Sequence, residues 1–273
     1  MSKQKILMCA PDHFGIDYVI NPWMEGNRGN SDRILAIQQW ANLKNALAAH
    51  TDIAFVAPQN GLPDQVFTAN AGMVIGNQVV VSRFRARERQ GEEPIFHDWF
   101  KQSGFTILSW PENVFFEGAG DALLDRGQKL IWAGYGFRSD AAAPALVEKF
   151  FGRRTIGLHL VDPRFYHLDT CLCPLEGGYV MYFPAAFDEA GQKAIAAVVP
   201  PEKQLIVDEP DALKFACNAV DVNRHVFIND ASESLQNKLR KVGFTPVLTP
   251  LSEFMKSGGA AKCLTLKLKE DWG

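Results

Sequence analysis

A repeat-like α/β or α+β arrangement, not a doubly wound sheet, is the fold class that this sequence predicts. Three observations carry the expectation. Many short apolar runs alternate with turn residues along the 273-residue chain, reading as strands. Only a few helical patterns lie between them. No G-x-G-x-x-G follows a strand and no Walker A segment occurs; Gly118-Ala119-Gly120 sits among acids that would repel phosphate.

The elements follow in order. Strands are expected at residues 6–10, 53–57, 72–81, 106–109, 122–124, 129–133, 156–160, 178–183, 204–207, 225–228, 245–248 and 265–268. Residues 33–49 carry apolar side chains at i, i+3, i+4 spacing, and Ser31 or Asp32 can cap that helix. Residues 141–151 and 232–242 read as helices, with shorter ones at 188–197 and 211–220. No long Pro- or Ser-rich linker interrupts the chain, so residues 1–273 are expected to form one domain.

With 47% hydrophobic and 22% charged residues the chain can bury a core, which excludes disorder. A net charge of −3 gives no global case for nucleic acid or an anionic membrane. The basic stretch around Arg83–Arg89 reads as a solvated strand edge or loop in preference to an RNA contact. The N-terminus lacks the apolar core of a secretory signal, and no run approaches the ~18–20 apolar residues of a membrane span. The cytoplasm is the expected compartment, where all five cysteines stay reduced. Cys9, Cys171, Cys173 and Cys217 read as buried packing residues. The Cys171-x-Cys173 pair lacks the companions of a zinc site, so no metal is expected.

Four turn-rich segments carry unusual chemistry. They are LPDQVFTAN (62–70), FEGAGD (116–121), YHLDT (166–170) and SGGAAKCLT (257–265). Cys263 follows a flexible glycine pair and a lysine whose charge would favour a thiolate; the alternative is a core cysteine at a strand start. His167 and Asp169 would share one face of a strand and so one pocket, or else make only a local hydrogen bond. Glu117 and Asp121 flank a turn that admits close backbone approach, or are ordinary turn acids. Together the segments offer a thiol nucleophile, an imidazole acid/base and several carboxylates, a set suited to a cationic substrate.

In that order, E-G-x-G-D, H-x-D and GG-x-x-K-C resemble the guanidino-group-modifying superfamily of arginine deiminases, dimethylarginine dimethylaminohydrolases and amidinotransferases. The resemblance covers residues 12–265. It implies the pentein fold, a five-bladed α/β propeller of pseudo-repeats around a central pocket. It also implies that Cys263 is the nucleophile, that His167 is the general acid/base and that Glu117 orients His167. Asp121 and Asp169 would hold the guanidinium and Phe67 would pack on its plane. No cofactor is implied; the partner is a small guanidino compound, with no nucleic acid or membrane.

Deiminases and dimethylarginine hydrolases usually carry aspartate where this chain has Asn70. The form FTANAG is similar to the arginine and succinylarginine dihydrolases, which release two ammonia molecules. An amide both accepts and donates, so Asn70 would accept from a guanidinium and later donate to a ureido oxygen, holding a citrulline-like intermediate for a second attack. The length and FGIDYVINPWM resemble the cyanobacterial-type arginine dihydrolases. By that resemblance Asn21 touches the amino-acid end of the substrate, Arg89 pairs with its carboxylate and Gly258 lies on the pocket. Asn21 otherwise caps the turn before Pro22. Ser257 stands where alanine is expected. The implied function is arginine dihydrolase, with a single-step hydrolase as the nearest rival and an amidinotransferase or a non-catalytic pentein further off.

Overall fold

The computed structural model describes residues 4–270; residues 1–3 and 271–273 of the expected domain lie outside the described residues. Its strands group into five sheets of three. β1 (Lys5–Cys9) pairs in parallel with β2 (Asp52–Val56), and α1 (Arg33–Ala48) connects them. β3 (Gly72–Ile75) and β4 (Gln78–Val81) form an antiparallel hairpin, from which α2 (Glu92–Gln102) leads to the parallel β5 (Thr106–Ile107). The unit recurs in β6 (Ala122–Asp125), β7 (Leu130–Tyr135), α3 (Ala143–Phe151) and β8 (Thr155–His159). It recurs again in β9 (Leu172–Leu175), β10 (Tyr179–Tyr182), α4 (Glu189–Val198) and β11 (Gln204–Ile206). After the single turn α5 (Glu209–Ala212), the last full unit is β12 (Val220–Val222), β13 (His225–Ile228), α6 (Glu233–Lys241) and β14 (Thr245–Leu248). The short α7 (Ser252–Met255) leads on to β15 (Leu266–Lys269), which pairs antiparallel with β1 and completes the first sheet. These are the five blades that the pentein resemblance implies.

Each blade has the same physical logic. An inner and a middle strand can be joined by a tight turn because they run antiparallel. The outer strand runs parallel to the middle one and so needs a crossover, which the helix supplies. Asp32, Asp188 and Ser232 start three of these helices by accepting from the backbone N–H three residues on. The inner strands β3, β6, β9, β12 and β15 all line one axial cavity. Large side chains such as Trp132, Phe84, Phe165 and Phe227 are wholly buried between blades and helices, each contributing roughly 1.5–3 kcal/mol by leaving water.

Several expectations need correction. Residues 72–81 are not one strand but two, folded at Gly76-Asn77, where Gly76 takes φ +60 as a two-residue hairpin turn requires. The helix expected at 211–220 is only α5, a loop and the start of β12. β9 and α2 were not expected; Pro174 interrupts the β signal of the first, and Pro94 with several aromatics obscures the helical period of the second. The 83–89 stretch is partly buried: Arg89 is 3% exposed. No helix among the described residues is long and apolar enough to cross a membrane.

Candidate active site

The site is built from the turns that precede the inner strands. Asn70 stands two residues before β3, Gly120 two before β6, Thr170 two before β9 and Asn218 two before β12, while Cys263 lies just before β15. Blade closure therefore brings five distant turns to one end of the axis. His167 is the extended residue that opens the turn Leu168–Thr170, not a strand residue, so its shared face with Asp169 comes from that turn.

Cys263 is buried, with Sγ accepting from Asn218 Nδ2 at 3.1 Å and lying 3.4 Å from Asp169 Oδ2. Asn218 Oδ1 accepts from the backbone N–H of both Ala260 and Cys263, so this amide fixes the whole Cys263 turn. Burial pushes the thiol well above its ordinary value, and Asp169 pushes it further. The expected help from Lys262 is outweighed. Its Nζ donates to Ala119 O at 3.2 Å, and its side chain lines the axial cavity behind the thiol.

Asp169 is wholly buried, and its Oδ1 has no hydrogen-bond partner among the described residues. Burial raises its pKa from 3.8 to about 6, against the opposing field of Lys262. A buried carboxylate oxygen left bare beside a thiol is a costly arrangement unless a donor arrives.

His167 Nε2 lies 2.7 Å from Glu117 Oε2. Arg138 donates to the same oxygen at 3.1 Å, and the Arg85 N–H donates to Oε1 at 3.2 Å. Burial alone would raise the Glu117 pKa, but Arg138 and His167 hold it well below the usual carboxylate range. An ionised Glu117 fixes the proton on Nε2 and leaves Nδ1 as the unprotonated nitrogen of a neutral imidazole. The Nδ1 edge packs close to Gly120, where any Cβ would meet Asn70 Nδ2 at 2.3 Å.

The pocket beside these groups is about 10 Å³ and is lined by Phe67, Asn70, Arg89, Arg138, His167 and Cys263, among others. Phe67 offers a ring in its wall; Gly259 has no room for a Cβ because Phe67 Cε1 would lie 2.5 Å away. Gly258 has φ +84, and its carbonyl accepts from Tyr166 Oη at 2.7 Å. Ile20, in the segment before Asn21, closes one side, and Arg138 donates to its carbonyl.

Three expected residues have other partners. Asp121 does not line the pocket: it lies behind His167, with Oδ2 accepting from Ser139 Oγ at 2.6 Å and Oδ1 from Leu168 N at 3.0 Å. Both oxygens thus support the His167 turn, and neither Asp121 nor Asp169 is among the residues that line the pocket. Arg89 lines the pocket and already holds several partners. It makes a bidentate pair with Glu92, both contacts 2.8 Å, and donates to Asn70 Oδ1 at 2.8 Å. Asn21 lines the pocket and caps its turn at once, accepting from Trp23 N and donating to Ser257 O. Asn70 Nδ2 donates to Glu117 O at 3.0 Å.

Arg138, Ser139, Asn218, Glu92 and Asp64 escaped the sequence analysis. Only Asn218 carried a signal, its recurrence about fifty residues after the Asp169 turn. Among the described residues, no group of three or more His, Cys, Asp or Glu is placed to hold a metal. All five cysteines are free and buried.

The geometry can be set beside known proteins. The family model for eukaryotic N,N dimethylarginine dimethylhydrolase matches residues 11–269. The bifunctional arginine dihydrolase/ornithine cyclodeaminase ArgZ of Synechocystis is 52% identical over 97% of this chain, which spans only 38% of that protein's length. The N(G),N(G)-dimethylarginine dimethylaminohydrolase of Mycobacterium tuberculosis is 37% identical over 97% of this chain and 86% of its own. A crystal structure of the N-terminal domain of ArgZ, a cysteine-to-serine variant with substrate bound, superposes with a TM-score of 0.97 at 51% identity, covering 98% of this chain and 99% of that one. Five matching blades, one cysteine–histidine–glutamate site and these relatives place the chain in the dimethylarginine dimethylaminohydrolase family of the guanidino-group-modifying pentein superfamily.

Proposed function

We propose that the chain is an arginine dihydrolase that converts L-arginine to L-ornithine, carbon dioxide and two ammonia. The observation that carries the reading is the buried Asp169 carboxylate beside the Cys263 thiol, whose Oδ1 is an acceptor suited to a cationic N–H donor. A guanidinium is planar, permanently charged and a bidentate donor, so Asp169 fixes its plane against Phe67 while its charge favours the thiolate. ArgZ, similar over almost this whole chain, is described as an arginine dihydrolase, and its N-terminal domain has been crystallised with substrate, with product and with a covalent reaction intermediate on an asparagine-to-serine variant.

The chemistry balances in two rounds. Cys263 Sγ bonds to the guanidino carbon, the C–N bond breaks, and the thiol proton leaves with ammonia by way of His167. Water then bonds to the carbon of the thiouronium and the C–S bond breaks; one water proton rests on His167 and the other on Sγ. The ureido product stays, and Sγ attacks again, releasing the second ammonia and leaving a thiocarbamate. Hydrolysis of that gives a carbamate, which loses carbon dioxide to give ornithine. Glu117 and Arg138 hold His167 in one tautomer throughout, and Asn70 faces the oxygen that the first hydrolysis introduces and the second round retains.

The test is product analysis with carbon-labelled arginine. Two ammonia per arginine with ornithine as the labelled product are expected. Citrulline accumulating with one ammonia would overturn the reading in favour of the single-step hydrolysis for which the Mycobacterium relative is named.

A further inference from the structure

We propose that Asn218 is a catalytic residue, its side-chain N–H being the donor that bears the negative charge of the Cys263 sulfur each time a C–S bond forms or breaks. The inference rests on the covalent reading above.

The amide can point only one way. Asn218 is wholly buried in the turn before β12. Its Oδ1 accepts from the backbone N–H of Ala260 at 3.0 Å and of Cys263 at 3.1 Å. Backbone N–H groups only donate, so the oxygen faces them and the NH2 faces the other side. There it donates to Asp169 O at 2.9 Å and to Cys263 Sγ at 3.1 Å. Every donor and acceptor of the amide is thereby used. Among the described residues no other side chain donates to Sγ; its other side-chain partner, Asp169 Oδ2 at 3.4 Å, is an acceptor when ionised.

The sulfur needs that donor. Cys263 is 4% exposed, so bulk water does not solvate an anion there. Lys262 Nζ is turned to the carbonyls of Ala119 and Thr265. A bound guanidinium helps to form the thiolate for the first attack, but the ureido intermediate is neutral and gives no such help in the second. In both hydrolyses the water oxygen bonds to carbon, the C–S bond breaks and its electron pair returns to sulfur, where it rests until a proton arrives. A donor already aimed at sulfur stabilises the charge in all four events without reorganising. An aspartate in place of Asn218 would accept from the same two backbone N–H groups. It would also set another carboxylate oxygen against a sulfur that already lies beside Asp169.

The chain around Asn218 is held against its local preference. Phe215, wholly buried, takes φ +56, the left-handed region that bulky side chains rarely adopt. Backbone strain of this kind persists where surrounding contacts over-determine it, and it clusters at functional sites. The Phe215 ring packs on Trp23 with centroids 4.6 Å apart, and its carbonyl accepts from Asn218 N at 3.0 Å. That strained corner delivers the amide to Sγ. Asn218 does not line the substrate pocket, so its part is in the chemistry and not in holding arginine.

Asn218→Ala removes the donor. Asn218→Ser, whose hydroxyl stops one atom short of Sγ, serves should the first variant not fold. Single turnovers at saturating labelled arginine, quenched in acid over a series of pH values, are read by intact-chain mass for the adduct on Cys263. The rising limb of adduct formation is expected to move up by about one pH unit, a tenfold loss of thiolate at a given pH. Adduct hydrolysis should slow roughly tenfold while the affinity for arginine stays close to that of the wild type. An amide that only positions the turn lowers formation alike at every pH and leaves the limb in place. That result overturns the assignment, as do wild-type rates of formation and hydrolysis in a folded variant, or failure of both variants to fold. Absence of any adduct on the wild-type chain overturns the covalent reading itself, and this control tells the two failures apart.

Discussion

Replacing Asn70 with aspartate isolates the step that separates two ammonia from one. Asn70 Oδ1 accepts from Arg89 at 2.8 Å and Nδ2 donates one hydrogen to Glu117 O at 3.0 Å, leaving a second hydrogen for a ligand oxygen. In Asn70→Asp, a carboxylate oxygen faces that carbonyl with no hydrogen between them. The loss is about 1–3 kcal/mol, offset in part by a charged contact with Arg89, which already serves Glu92. A net loss near 1 kcal/mol lowers Tm by about 2–4 °C for a chain of this size. The guanidinium still finds acceptors, so the first ammonia is released. The ureido oxygen meets an acceptor in place of a donor, and a penalty of about 3 kcal/mol slows the second round roughly a hundredfold. Citrulline and one ammonia per arginine are expected by product chromatography and an ammonia assay. Ornithine at the wild-type yield, or a variant unable to form even the first adduct, would refute the account of Asn70.

Two further outcomes follow from the charges. Glu117→Gln replaces one acceptor oxygen by an amide facing Arg138 and His167 or the Arg85 N–H, so a fall in kcat of about 100-fold or more is expected with KM for arginine little changed; a large change in KM alone would show that Glu117 acts on binding. Asp169 and Asp121 are raised by burial from 3.8 to about 6, so between about pH 4 and 6 the folded protein binds more protons than the unfolded one and stability falls as pH rises, by about 3 kcal/mol for each group. Thermal melts across that window should steepen accordingly for the wild type and flatten for Asp169→Asn; identical slopes would place the titration elsewhere.

What was legible in the sequence follows from how local the signal is. Middle strands such as β7 and β13 are apolar runs, and helices such as α1 and α6 carry side-chain caps, so both are visible. The inner strands β9 and β12 are short, and one contains a proline, so each is recognisable only by its partner across the sheet. The fivefold repeat is hidden for a functional reason. The turn before each inner strand carries a different residue, Asn70, Gly120, Asp169, Asn218 or Cys263, because each supplies a different part of one site. Cys263, His167 and Glu117 lay in motifs. The partners that fix them, Asn218, Ser139 and Arg138, lie 45, 22 and 21 residues away along the chain and have no local pattern. For the same reason Asp121 and Asp169 looked alike in sequence and differ in space: Ser139 and the Leu168 N–H occupy one and leave the other bare.

On the proposed reading, that difference keeps a buried thiol quiet until substrate arrives. Near the nucleophile, Asp64, Glu92, Glu117, Asp121 and Asp169 face Arg89, Arg138 and Lys262, so carboxylates outnumber cations. Arg138 and His167 keep Glu117 ionised, and Glu92, paired with Arg89, is still raised by burial to about 7. The shortage of positive charge therefore falls on Asp169 and on Cys263, both raised by burial. A thiol so held is a poor nucleophile toward adventitious electrophiles. A guanidinium would supply the missing charge at Asp169 Oδ1, favouring the carboxylate and the thiolate together. The same cation that is to be attacked thus completes the electrostatics of its attacker, and a neutral molecule of the same shape leaves Asp169 unpaired and Cys263 protonated. The ureido intermediate is such a neutral molecule. The second round therefore lacks the charge that drives the first, and Asn70 and His167 have to make up the difference with directed hydrogen bonds.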